Sequence, residues 1–179
     1  GYVDTTLIEK FAFSSNVTAT SHGNLQSARY DGTGCSSDTH GFSVAGYETS
    51  IPAAIPTIDK FAYSSNVTAT DHGDLSVSRN QLASHSSTTH GYGSGGSGNQ
   101  DVIDKFAFSS NTTATDHGNL SVGRTAPSGT SSTTHGYSAG GGGTSNVIDK
   151  FAYSSNTTAT DHGDLTVGRE RAGSEGQQY

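Results

Sequence analysis

The chain carries eight histidines, and an imidazole beside a carboxylate invites a metal reading. Seven of them fall into two sets. His22, His72, His117 and His162 form one, with Asp71, Asp116 and Asp161 just before three of them; His40, His90 and His135 form the other. Zinc, however, wants four ligands at about 2.0–2.3 Å, and no stretch offers a compact His/Cys cluster. Equivalent positions of successive repeats lie one per unit, too far apart to share one ion. The histidines therefore read as packing residues, each with a hydrogen bond from its imidazole. Neither a metal nor any other cofactor is expected, since the Gly-rich links also lack the Lys-Ser/Thr ending of a phosphate loop.

Other reactive groups repeat in the same way. Arg29, Arg79, Arg124 and Arg169 each close a Leu-x-x-x-Arg segment. A guanidinium there suits a fork-shaped contact with a carboxylate of the next unit, such as the acid before Gly-Asp-Leu. Glu9-Lys10, Asp59-Lys60, Asp104-Lys105 and Asp149-Lys150 place acid and base on opposite strand faces. Asn16, Asn66, Asn111 and Asn156 each open an Asn-x-Thr acceptor pattern for glycosylation, while Ser-Ser-Asn is equally a turn closed by a side-chain hydrogen bond. Cys35 is the single cysteine, so no disulfide forms within the chain. No Ser-His-Asp arrangement stands out, because every candidate recurs. Catalytic sites usually break repeat symmetry, and here almost nothing does.

What positions these side chains is one unit written four times. Its clearest copy runs from Ile103 to Gly118, and the others start near Ile8, Ile58 and Ile148, at intervals of 50, 45 and 45 residues. Such periods signal a repeat architecture. The units span residues 1–179 as a single repeat domain. With 30% hydrophobic residues and 24 glycines, a thick core is excluded and thin burial between small units is expected. A net charge of −7 argues against nucleic-acid binding. No apolar run approaches a membrane span or a signal-peptide core. The absence of Met marks a processed chain or a segment, and Gly1-Tyr2 with Ala172 to Tyr179 reads as one blade shared between the ends.

Within a unit the pattern is that of strands. Ile103 to Phe108 is β-branched and aromatic and ends at a turn cluster. Thr113 to Thr115, Leu120 to Val122 and Thr133 to Tyr137 are three further short strands. The constant eleven residues from Arg to His predict a fixed-length hairpin. The links of varying length, such as Ser43 to Thr57, predict surface loops. Phe11, Phe61, Phe106 and Phe151, with Leu25, Leu75, Leu120 and Leu165, are the expected core.

Four short strands per unit of 45–50 residues is the sequence form of a β-propeller blade. Leu120, Arg124, Gly136-Tyr137 and Gly140-Gly141, and again Leu75, Arg79, Gly91-Tyr92 and Gly95-Gly96, resemble the kelch-type repeat. The first unit has Val44-Ala45-Gly46 in place of the Gly pair, and the kelch Trp is absent throughout. The Lys-Phe-x-Phe and Ala-Thr-Asp-x-Gly-Asp-Leu wording resembles kelch-like repeats of marine and environmental bacteriophage. The fold expected is an all-β, kelch-like propeller of four blades. It would close alone as a small ring, pair with a second copy as a homo-oligomeric eight-blade ring or larger assembly, or be a segment of a longer chain.

The expected function is a non-enzymatic scaffold or recognition module of a virion or extracellular surface, with a protein or glycan as partner. The variable links would carry the contacts, through Tyr30, Asp31, Tyr47, Glu48 and His85. The alternative is a kelch-type propeller enzyme, a metal-dependent oxidase or a hydrolase, which requires an axial site built from different residues in different blades.

Overall fold

A computed structural model describes residues 4–171. The shared blade expected from Gly1-Tyr2 and Ala172 to Tyr179 lies outside these residues. Among the described residues the chain is all-β, with fourteen strands and no helix. β1 (Thr5–Lys10) and β2 (Thr20–Arg29) form a two-stranded sheet. The second sheet is β3 (Thr33–Ser36), β4 (His40–Glu48), β5 (Ala53–Ala62) and β6 (Thr70–Asp74). β7 (Ala83–Ser86), β8 (His90–Ser94), β9 (Val102–Ala107) and β10 (Thr115–Asn119) form the third. The fourth is β11 (Ser128–Ser131), β12 (His135–Ala139), β13 (Val147–Ala152) and β14 (Thr160–Asp164). Each four-stranded sheet is an antiparallel meander in chain order, a propeller-like blade. Among the described residues no helix is long and apolar enough to cross a membrane.

The fixed Arg-to-His interval is a hairpin, as expected. Its short strand (β3, β7 or β11) turns through a Ser-x-Thr-His segment, in which the Ser87 N–H donates to His90 O at 2.9 Å and the His90 N–H returns to Ser87 Oγ at 3.0 Å. Gly follows His at every turn because Gly136 pairs with Phe151 across the ladder and a Cβ there would overlap the Phe151 ring.

Three expectations are corrected. Leu120 to Val122 is a bend: the Leu120 N–H goes to Asp101 O at 2.7 Å and the Ser121 N–H to Asp149 of the next sheet at 3.1 Å, so neither can enter a ladder. The short strand expected at Thr113 to Thr115 is instead β10, which runs through Asp116-His117-Gly118 with a register shift and Gly118 at φ +105°. The expected loop Ser43 to Thr57 is mostly strand, because β4 and β5 stay paired past a bulge after Val44 as far as Glu48 opposite Ala53.

The core is thin and repeated between sheets. Phe42, Ile58, Leu75, Phe106 and Phe108 fill the space between the second and third sheets. Tyr92, Ile103, Leu120, Phe151 and Tyr153 do the same one repeat later. The eight expected core residues are therefore unequal. Phe106, Phe151, Leu75 and Leu120 are buried and Phe61, Leu25 and Leu165 half-buried, but Phe11 is 67% exposed. A side chain here is buried by the neighbouring sheet, and the first sheet has one on a single side.

Candidate functional site

The repeated polar residues are consumed by the joints between sheets. Arg29 meets Asp59 at 2.6 Å, Arg79 meets Asp104 at 2.8 Å, and Arg124 meets Asp149, all three pairs buried. The partner does lie in the next repeat, but it is the acid before Lys, not the acid before Gly-Asp-Leu. The histidines of the first set span the same joints. Nε2 of His22, His72 and His117 donates to Ala62 O, Ala107 O and Ala152 O at 2.9, 2.8 and 2.9 Å. In the second set, Nδ1 of His40, His90 and His135 shares a hydrogen bond with the hydroxyl of the preceding Thr, each at 2.8 Å. Among the described residues no three His, Cys, Asp or Glu converge as a metal site would require.

The glycosylation candidates all sit at exposed positions. Nδ2 of Asn111 and Asn156 donates to Asp71 O and Asp116 O of the preceding repeat, each at 3.0 Å, and Asn66 Nδ2 to Ser21 O at 3.4 Å. Asn16 is at the first joint position, with no described sheet before it.

Symmetry breaks in two places. The first is a cavity of about 290 Å³ lined by Cys35, Phe42, Phe61, Tyr63, His85 and Ser131 among others. His85 is no loop residue: it lies in β7, 1% exposed, because the stretch read as a link supplies a strand packed between β3 and β11 of the neighbouring sheets. Its Nδ1–H donates to Thr130 O at 3.1 Å, and its Nε2 accepts from Ser94 Oγ at 2.9 Å. Burial pushes its pKa down to about 4. Burial likewise pushes the Cys35 thiol up to about 12, against a hydrogen bond with Ser86. Thiol and imidazole are thus both neutral near pH 7, and both ring nitrogens are engaged. This arrangement activates no nucleophile.

His85 also sets a pH dependence. The unfolded imidazole takes a proton near pH 6.5 and the folded one only near 4. Stability is therefore complete above pH 6.5 and is lost as pH falls toward 4, by about 3 kcal/mol from this residue. Burial lowers the pKa of His40, His72, His90, His117 and His135 as well, so their contributions have the same sign. Urea titrations at pH 7 and pH 4.5 should show the loss, and His85→Gln should flatten it; an equal loss in that variant would place the acid sensitivity elsewhere.

The second break is a ladder that sequence reasoning missed. Two residues after each arginine, Asp31, Gln81, Ala126 and Arg171 adopt left-handed backbone, with φ of 54°, 55°, 54° and 55°. Non-glycine residues rarely do so, and here each is tied to the next. The Gln81 N–H donates to Asp31 O at 2.8 Å, the Ala126 N–H to Gln81 O at 2.9 Å and the Arg171 N–H to Ala126 O at 3.1 Å. The four line one cleft of about 200 Å³ with Gly32, Leu82 and Pro127. Gln81 Nε2 also donates to Asp31 Oδ2 at 2.7 Å. One backbone geometry thus presents a carboxylate, an amide, a methyl and a guanidinium side by side. The available signal was that Arg171 alone among the basic residues has no basic counterpart in the other repeats.

Of the other expected contact residues, Tyr30 and Tyr47 are brought together. They exchange backbone hydrogen bonds of 3.1 and 2.8 Å, and their rings lie 5.2 Å apart, next in sequence to the cleft residue Asp31. Glu48 ends β4 beside Tyr47 and accepts from the Ser50 hydroxyl. Tyr30, Asp31, Tyr47 and Glu48 therefore cluster at the first sheet pair, whereas His85 belongs to the interior. Neither a family model nor a curated protein matches the chain.

Proposed function

We propose that this chain is a non-enzymatic recognition module on a kelch-like propeller scaffold, and that it binds a glycan or protein through the Asp31–Gln81–Ala126–Arg171 cleft. One observation carries this reading: positions with the same backbone geometry hold four different side chains, whereas the arginines and first-set histidines of the joints recur unchanged in every repeat. Constancy in the joints serves packing; variation on one shared frame serves a ligand. An amide and a carboxylate match sugar hydroxyls or peptide amides, and a guanidinium reads a carboxylate. The Tyr30–Tyr47 pair beside the cleft offers flat apolar surface of the sort a sugar ring covers. The likeness of the repeat wording to phage kelch-like repeats supports a virion or extracellular surface as the setting. An enzyme would need an activated group, and the one asymmetric thiol and imidazole are held neutral.

A glycan array and a peptide display screen on the purified chain test this. Hydrogen bonds to charged groups contribute about 1.5–3 kcal/mol, so Asp31→Ala and Arg171→Ala should each weaken the selected ligand by roughly ten- to a hundredfold. Tyr47→Ala should weaken a sugar more than a peptide. Binding that survives the Asp31→Ala/Arg171→Ala double variant would sink the cleft reading.

A further inference from the structure

The described chain ends in two faces that match each other as its internal joints do, and we infer that a second copy of this chain docks head to tail, its first sheet on the last sheet of the copy before it. The joints between sheets follow one rule. Across each, an Arg meets the acid before Lys, a His Nε2 donates to the Ala carbonyl of the next Phe-Ala, and an Ala N–H donates to the residue after His-Gly. That last bond is 2.7 Å from Ala69 to Asn24, from Ala114 to Asp74 and from Ala159 to Asn119. Aromatic rings complete the joint. Phe42 stacks on Phe108 at 4.7 Å and 20°, and one repeat later Tyr92 stacks on Tyr153 at 4.6 Å and 18°.

Each rule has one half on the last sheet and its other half on the first. Arg169 is exposed, and among the described residues its side-chain hydrogen bond is a local one to Val167 O; the corresponding acid is Glu9, also exposed. His162 is exposed where His22, His72 and His117 are 4% exposed; its acceptor would be Ala12 O. Asp164 O corresponds to the acceptor for Ala19 N–H, and Asp161 O to the acceptor for Asn16 Nδ2. Tyr137 is only half-buried where Tyr92 and Phe42 are 1% and 2% exposed. Its stacking partner by the same rule is Phe13, which is 99% exposed against 8% and 9% for Phe108 and Tyr153.

Gly163 adds an independent mark. At Gly23, Gly73 and Gly118 an added Cβ would collide with the backbone of the next repeat, at Val67, Thr112 and Thr157. Gly163 keeps the same positive φ, at +120°, with nothing within 4 Å of that position. It is shaped for a neighbouring backbone that a second copy would supply at Val17. The contacts between sheets otherwise run first to second, second to third and third to fourth. The joint is heterologous, so repetition gives either a closed ring or an open chain of copies.

This inference is independent of the cleft reading, because it is read from mass alone. In sedimentation equilibrium at micromolar concentration the chain should behave as a multiple of 18.3 kDa. Phe13→Asp, Arg169→Glu and Glu9→Arg should each reduce it to 18.3 kDa. Circular dichroism should be unchanged, since all three side chains are exposed in the single copy. Val122→Asp, exposed at an internal repeat, should leave the assembly intact. An equimolar mixture of Arg169→Glu and Glu9→Arg chains should reassemble, because alternating chains restore opposite charges at both joints, in swapped form at one and in native form at the other. A monomeric parent chain, an assembly that survives both Phe13→Asp and Arg169→Glu, or a swapped mixture that stays monomeric would each overturn the proposal.

Discussion

Arg79→Ala should destabilise the chain by about 3–5 kcal/mol, the range for removing one partner of a buried ion pair. Arg79 is 0% exposed, and its guanidinium bridges Asp104 Oδ2 at 2.8 Å and Gly93 O at 3.1 Å. Without it, Asp104 keeps only the Ser76 N–H at 3.2 Å, and a 0% exposed carboxylate is left nearly bare. Folded domains have about 5–15 kcal/mol in all, so much of the protein would unfold at moderate temperature. The intact pair itself contributes far less. Arg79 Nε and Asp104 Oδ1 have no hydrogen-bond partner among the described residues, so the desolvation of both charges is incompletely offset. The double variant Arg79→Met/Asp104→Leu should therefore recover most of the loss. Urea denaturation of Arg79→Met, Asp104→Leu and the double variant forms the cycle. A double variant as unstable as Arg79→Ala would mean that the pair, and not the removal of a lone charge, stabilises the joint.

Phe106→Ala should cost a similar 3–5 kcal/mol. Its ring is 2% exposed, 5.8 Å from Phe42 and 6.0 Å from Phe108, and lies over Gly91 of the paired strand. Glycine cannot grow into the void, and the neighbouring rings are held by their own sheets, so the cavity stays. In the dilute single copy, Phe11→Ala changes the same residue of the same motif at 67% exposure. Its cost should fall within about 0.5 kcal/mol of zero. Melting curves of the two variants would discriminate; equal shifts would mean that burial does not depend on a neighbouring sheet.

That contrast marks the boundary between what sequence and tertiary structure each determine here. The repeat, the all-β class, the thin burial and the Arg-to-His hairpin were legible because each is a local pattern of residue types at fixed spacing. Legible too was that an arginine would meet a carboxylate of the next unit. Which carboxylate was not. The acid before Lys and the acid before Gly-Asp-Leu have equal standing in sequence, and only the offset between sheets brings Asp104 to Arg79. For the same reason Leu120 to Val122 alternates like a strand yet bends, since its backbone bonds are taken by Asp101 and by the next sheet. Asp31, Gln81, Ala126 and Arg171 share an offset from the repeat arginines but no residue type, so nothing in the sequence marks them as one site; their common left-handed backbone and the hydrogen bonds between repeats do. Phe11 and Phe106 are alike in sequence and opposite in exposure. Burial is a property of what packs against a residue, and in a repeat array that depends on a neighbour the local sequence does not contain.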